Sequence, residues 1–132
     1  MVNLKGVDDR LIFYFNKAKL LYEETSDFKV IISQGIRTEA EQLELFKKGR
    51  KYVNNKYVIV NKSKVVTYTL KSKHIEGKAI DIAFIKNNKC DWSVSLFKEF
   101  WEIINKIEIL KSIEWGGNWK NFKDYPHFQI KN

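Results

Sequence analysis

Ser72-Lys73-His74-Ile75-Glu76-Gly77-Lys78-Ala79-Ile80-Asp81 sets a histidine and an aspartate seven residues apart, on either side of a glycine. The only other histidine of the 132-residue chain lies in Asp124-Tyr125-Pro126-His127-Phe128. If His74 sits in a loop and Asp81 on the strand that follows, a turn at Gly77 folds the first side chain back over the second, since glycine takes positive φ without strain. His127 then arrives from a neighbouring strand near the C-terminus. Zinc takes neutral imidazole nitrogen and carboxylate oxygen, and a catalytic zinc site uses three protein ligands with one position left open. His74, Asp81 and His127 are therefore candidate ligands. A lone histidine is more often a hydrogen-bonded core or surface residue, and a lone strand aspartate is commonly a turn or cap residue. On the residues alone, metal binding and ordinary packing stand as equal readings.

Outward from this stretch, Ala79–Ile85 reads as a buried strand ending at Lys86-Asn87-Asn88. The apolar positions Leu11, Ile12, Phe15, Leu20 and Leu21 predict a helix from Asp8 or Asp9 to about Glu24. Phe28–Ser33 is β-branched and short, which predicts a strand. Thr38-Glu39-Ala40-Glu41 is a capping box that opens a helix stopping at Gly49. Residues 50–70 alternate weakly, through Tyr57–Val60 and again Val65–Tyr68, with turn chemistry at Asn54-Asn55, so a β-ribbon or structured loop is expected. Leu96, Phe97, Phe100, Trp101, Ile104 and Ile107 predict the longest helix, between about Ser93 and Leu110. Ile113–Trp115 and His127–Ile130 read as short strands around a Gly116-Gly117 turn. The expected fold class is α+β: one small domain over residues 1–132, a mostly antiparallel sheet with helices packed on it, and the candidate metal site on a loop and strands.

Composition bounds the rest. The net charge of +8 attracts polyanions in general, whether nucleic acid, anionic membrane or acidic wall polymer, and a merely solvated lysine-rich surface is an equal reading. Nucleic-acid binding would rest on charge alone, and no specific nucleic-acid partner is expected. Cys90 is the only cysteine, so no disulfide can form within the chain. The first residues lack the basic region and apolar run of a signal peptide, and no window approaches a transmembrane helix. A monomer made in the cytoplasm is expected, and any work outside would need a separate exit route.

The pattern S-x-H-x-x-G-x-A-x-D followed distally by D-x-P-H-F resembles the zinc peptidases that group lysostaphin-type, D-Ala-D-Ala and hedgehog-like domains. Within that group it is most similar to the L-alanyl-D-glutamate peptidases of bacteriophage endolysins and their bacterial relatives. Ser33–Thr38 with Glu41-Gln42 and Phe46–Arg50 resembles the family's segment carrying a substrate-facing arginine. Trp115–Trp119, Phe122 and Asp124 resemble its approach to the last ligand. Together the likeness spans roughly residues 28–130.

The resemblance implies Zn2+ on His74, Asp81 and His127, with Asp124 as the catalytic carboxylate and Arg37 as a clamp on substrate or oxyanion. Such a carboxylate takes a proton from water and passes it to the departing amine. Arg37, where a strand gives way to a capped helix, could instead form a surface ion pair with Glu39 or Glu41. Ser72 is expected to orient the loop, and Trp115 and Trp119 to wall the substrate groove, although buried packing suits either equally. The implied activity is cleavage of the L-Ala–D-Glu bond of the peptidoglycan stem peptide, by an endolysin held in the host cytoplasm until lysis. Its charge would favour anionic wall polymers or outer-membrane lipid. A D-Ala-D-Ala carboxypeptidase with the same metal site and a non-catalytic wall-binding module are the alternatives. The segment from Arg50 to Lys71 departs from the family pattern, being longer and richer in lysine than a short glycine-rich connection.

Overall fold

The computed structural model describes residues 2–132. In chain order its regular elements are α1 (Asp9–Glu24), β1 (Lys29–Gln34), α2 (Glu39–Lys47), β2 (Arg50–Val53), β3 (Lys56–Ile59), β4 (Ala79–Lys86), β5 (Lys89–Asp91), α3 (Val94–Ile107), β6 (Ile113–Trp115) and β7 (His127–Ile130). The α+β class follows directly: an antiparallel sheet with helices against it.

β4 is the centre of that sheet. β1 runs along one edge of it, while β7 and β5 share the other, pairing with its first and last residues respectively. β6 closes the order on the far side of β7. Successive side chains of a strand alternate between faces. Ile80, Ile82 and Phe84 of β4, with Phe128 and Ile130 of β7, therefore enter the core. They meet Leu11, Phe15, Ala18 and Tyr22 of α1 and Leu96, Phe97, Phe100 and Ile104 of α3. The Phe84 and Phe97 rings pack edge to face with centroids 4.9 Å apart, an arrangement favoured by the ring quadrupoles. Asp81 and His127 lie one residue out of phase with this set, so they project from the opposite face.

Local chemistry explains the boundaries. Asp8 caps α1, its Oδ1 accepting the Arg10 N–H at 2.9 Å. The Thr38–Glu41 capping box is present with both reciprocal bonds, at 2.9 and 3.1 Å. α3 ends at Ile107 rather than near Leu110, because the buried Glu108 carboxylate accepts the backbone N–H groups of Ser112 and Ile113 and turns the chain. Asn54 and Asn55 both take positive φ (51° and 64°), the conformation that joins twisted strands through two residues. The ribbon expected over 50–70 stops at Ile59. Val65–Tyr68 forms no ladder, and the Thr67 carbonyl is taken instead by the Arg50 guanidinium at 2.9 Å. β5 was not expected: Asn87 and Asn88 repeat the positive-φ pair and return three residues onto β4.

Candidate functional site

The β4–β7 ladder sets Asp81 directly opposite His127, and Ala79 opposite Gln129. A bulge in β1 between Ile32 and Gln34 shifts the register so that Gln34 also pairs with Asp81. His74 comes from the turn before β4. Gly77 takes φ 71° there, and a Cβ on it would lie 2.1 Å from the Gly6 carbonyl oxygen, so the turn admits only glycine. Ser72 Oγ accepts the His74 backbone N–H at 3.2 Å, which places Ser72 in an orienting position and also at the cleft wall.

The three side chains converge. His74 Nε2 lies 3.3 Å and His127 Nδ1 3.2 Å from the same Asp81 oxygen. Ligand atoms from the three residues all fall within 4.8 Å of one another. The opposite ring nitrogens are engaged elsewhere: His74 Nδ1 with the Gly35 carbonyl at 2.9 Å, and His127 Nε2 with Gln129 Oε1 at 2.8 Å. Each outer partner can only accept, so each outer nitrogen carries the N–H. In the neutral rings the inner nitrogens therefore present lone pairs toward a carboxylate. Three acceptors facing one point suit a cation between them, and outer acceptors of this kind are the usual support of ligating histidines. The donor set fits a zinc-type ion. When the rings are protonated instead, the inner nitrogens donate to Asp81, and those hydrogen bonds outweigh the opposing effect of burial and hold its carboxyl well below the ordinary range. For His127, burial works against the charged form, and the Asp81 carboxylate more than offsets it, leaving the imidazole raised.

Asp124 stands beside this group, its Oδ2 3.8 Å from His127 Nδ1. Its backbone N–H donates to the Gly116 carbonyl at 3.1 Å, and a Cβ at Gly116 would lie 2.3 Å from the Asp124 carbonyl oxygen. The glycine after Trp115 thus permits the close approach that brings Asp124 in. Burial raises the Asp124 carboxyl, and the Asp81 charge adds to this against the opposing pull of His127, His74 and Arg37.

Arg37 faces the same cleft. Its guanidinium donates to Gln42 Oε1 and to Gln34 Oε1, both at 2.6 Å, and its backbone N–H donates to the His74 carbonyl at 3.0 Å. Neither Glu39 nor Glu41 reaches it in an ion pair among the described residues. Burial lowers its pKa, with Asp81, Glu41 and Asp124 opposing. Gln42 is itself buried and tied to the Thr69 carbonyl at 2.7 Å, so amides rather than carboxylates hold this cation.

His74, Asp81, His127, Asp124, Arg37 and Ser72 all line one cleft of about 700 Å³. Trp115 does not. It is 3% exposed, stacked on Trp101 and Phe128, and its indole N–H donates to the Tyr125 carbonyl at 2.7 Å. The wall expected from Trp115 is corrected accordingly: a strand residue in phase with Phe128 is committed to the core, and this one braces the 124–127 segment from behind. Trp119, the other tryptophan expected at the groove, does line the cleft, with Tyr68 and Phe122, whose rings meet edge to face at 4.8 Å. The sequence reading also passed over Gln34 and Gln129. Gln129 lies two residues along a strand from His127, a spacing that puts both on one face.

Comparison with known proteins places this geometry in context. A family model described as D-alanyl-D-alanine carboxypeptidase matches residues 66–130. An L-alanyl-D-glutamate peptidase of Escherichia phage T5 is 30% identical, over 82% of this chain and 71% of the relative. The chain belongs to the L-alanyl-D-glutamate peptidase family. The peptidoglycan L-alanyl-D-glutamate endopeptidase CwlK of Bacillus subtilis is 35% identical, over 76% of this chain, which spans 60% of that relative's length. The crystal structure of the Serratia marcescens L-Ala D-Glu endopeptidase ChiX superposes with a TM-score of 0.72 at 27% identity, covering 98% of this chain and 84% of that one. No helix among the described residues is long and apolar enough to cross a membrane.

Proposed function

We propose that residues 1–132 form a zinc-dependent peptidoglycan endopeptidase that cleaves the L-Ala–D-Glu bond of the stem peptide. The observation that carries this reading is the convergence of the two inner imidazole nitrogens on Asp81, at the floor of a cleft that also holds Asp124 and Arg37. The named activities of the family relatives support the substrate class.

His74, Asp81 and His127 would hold the ion, which supplies Lewis acidity to water and to the scissile carbonyl. Asp124 accepts a proton from the attacking water and delivers it to the departing amine. A carboxyl raised by burial suits that work, because the group must both take and release the proton near neutral pH. Arg37 binds a carboxylate of the substrate. Its two amide partners fix the guanidinium without neutralising it, and a planar donor fork matches a carboxylate in two-point contact. Trp119, Tyr68 and Phe122 enclose the peptide on the apolar side of the cleft.

Digestion of purified peptidoglycan, followed by mass spectrometry of the fragments, tests the proposal. New amino-terminal glutamate that disappears with a chelator and returns with zinc is the expected result. Release of free alanine instead would assign a D-Ala-D-Ala carboxypeptidase, and release of nothing would leave a wall-binding module.

A further inference from the structure

Between Glu44 and Glu76 the chain has no acidic residue and nine basic ones. Residues 45–75 thus carry +9, while the other 101 residues set 15 basic against 16 acidic side chains and carry −1. The net positive charge of the molecule thus resides in one segment.

The middle of that segment is the β2–β3 hairpin, which among the described residues joins no strand of the main sheet. One of its faces leans on α2: the Tyr57 ring meets Phe46 at 5.7 Å, and the Arg50 guanidinium lies 3.9 Å from the Phe46 ring centre. The other face presents Lys51, Val53, Lys56 and Val58, all exposed. The register sets Lys51 opposite Val58 and Val53 opposite Lys56, so each ammonium is flanked by an aliphatic side chain. Val60, 58% exposed, continues this surface beyond the strand. Neither lysine has an ion-pair partner among the described residues.

We propose that this hairpin face docks on the surface of a bilayer containing anionic lipid. A hydrated polyanion would be met by ammonium groups alone. Interleaved valines match a surface that offers phosphate charge and, a few ångströms deeper, hydrocarbon. Lysine stems lie along apolar surroundings while their heads remain at the phosphates. Neither lysine nor valine of this face lines the catalytic cleft. The proposal therefore goes beyond the peptidase reading and does not depend on it.

Cosedimentation of the full chain with phosphatidylcholine vesicles, with and without phosphatidylglycerol, tests it. Each basic residue near an anionic leaflet is worth about fivefold in affinity. The Lys51→Gln/Lys56→Gln pair is therefore expected to weaken binding to the anionic vesicles by about 25-fold. Val53→Ser/Val58→Ser, with every charge retained, is expected to weaken it severalfold, and both pairs should keep wild-type activity on soluble wall fragments. Val60→Ser, outside the strands, repeats the apolar test should the strand pair fail to fold by circular dichroism. Three results would overturn the proposal: no preference for anionic vesicles, valine variants binding as well as wild type, or soluble polyphosphate or duplex DNA bound as tightly as the vesicles.

Discussion

Gln129 offers the sharpest test of the metal site, because it touches the site through one hydrogen bond only. Its Oε1 accepts from His127 Nε2 at 2.8 Å, while its Nε2 donates to Glu114 Oε1 at 2.5 Å across the β6–β7 pair. The chain Glu114–Gln129–His127 fixes which ring nitrogen carries the proton, and so which lone pair faces Asp81. Gln129→Met keeps length and volume and deletes the acceptor. His127 is only 6% exposed, so solvent cannot fully replace it. A buried donor left unsatisfied costs about 1–3 kcal/mol, which corresponds to roughly 5- to 150-fold in an equilibrium constant. Loss of such outer support from other metal sites weakens metal binding by about 10–100-fold, within that span. Zinc affinity should therefore fall by one to two orders of magnitude in competition with a chromogenic chelator, with the far-ultraviolet circular dichroism unchanged. A folded Gln129→Met protein binding zinc within about twofold of wild type would refute the tautomer argument. Absence of zinc binding by the wild type would remove the metal site itself.

Two further outcomes are expected. Asp124→Asn should retain zinc by chelator titration and lose wall-degrading activity by at least about a hundredfold, the range assigned to a positioned proton carrier, whereas His74→Ala should lose both; full activity in Asp124→Asn would remove its assigned role. At the start of α1, Asp8→Ala should lower the unfolding free energy by about 1 kcal/mol at neutral pH, the usual worth of a helix cap. Hydrogen bonds from Arg10 hold the folded Asp8 carboxyl below its ordinary value. That stabilisation is complete above the unfolded pKa of about 3.9 and is lost as pH falls through the lower folded value. Urea unfolding of wild type and variant should thus differ at pH 7 and converge in strong acid; a pH-independent difference would contradict the ion-pair origin.

Features encoded over a few neighbouring residues were legible in the sequence. The Thr38–Glu41 box, the α3 apolar stripe and the Asn54-Asn55 turn each specify their structure within one or two turns of chain. The His74–Asp81 spacing around Gly77 pointed to the loop and strand that now bring the two side chains together. What escaped notice depends on distant partners. Trp115 and Trp119 sit in one short glycine-rich stretch, and only the β6–β7 register turns the first toward Phe128 and leaves the second at the cleft. β5 carries no apolar alternation and exists because β4 has a free edge beyond Asp81, past the end of β7. Val65–Tyr68 has the composition of a strand, but Arg50 takes the Thr67 carbonyl a ladder would need. The two glutamines holding Arg37 come from elements on either side of it, joined only by the bulge in β1 and the helix that follows.

Asp81 and His127 alternate along their strands with Ile80, Ile82 and Phe128, so reactive groups and packing groups are two sides of one pleated surface. This limits where the protein can be hardened for use. Enlarging or reshaping Ile80 or Phe128 to gain heat resistance would tilt the backbone that aims Asp81 and His127, and activity would be the first casualty. Substitutions on the solvent side of α1, where Phe13 and Leu20 stand exposed, are separated from the cleft by the full thickness of the sheet. Directed evolution for thermostability should find its neutral gains there, and its trade-offs along β4 and β7.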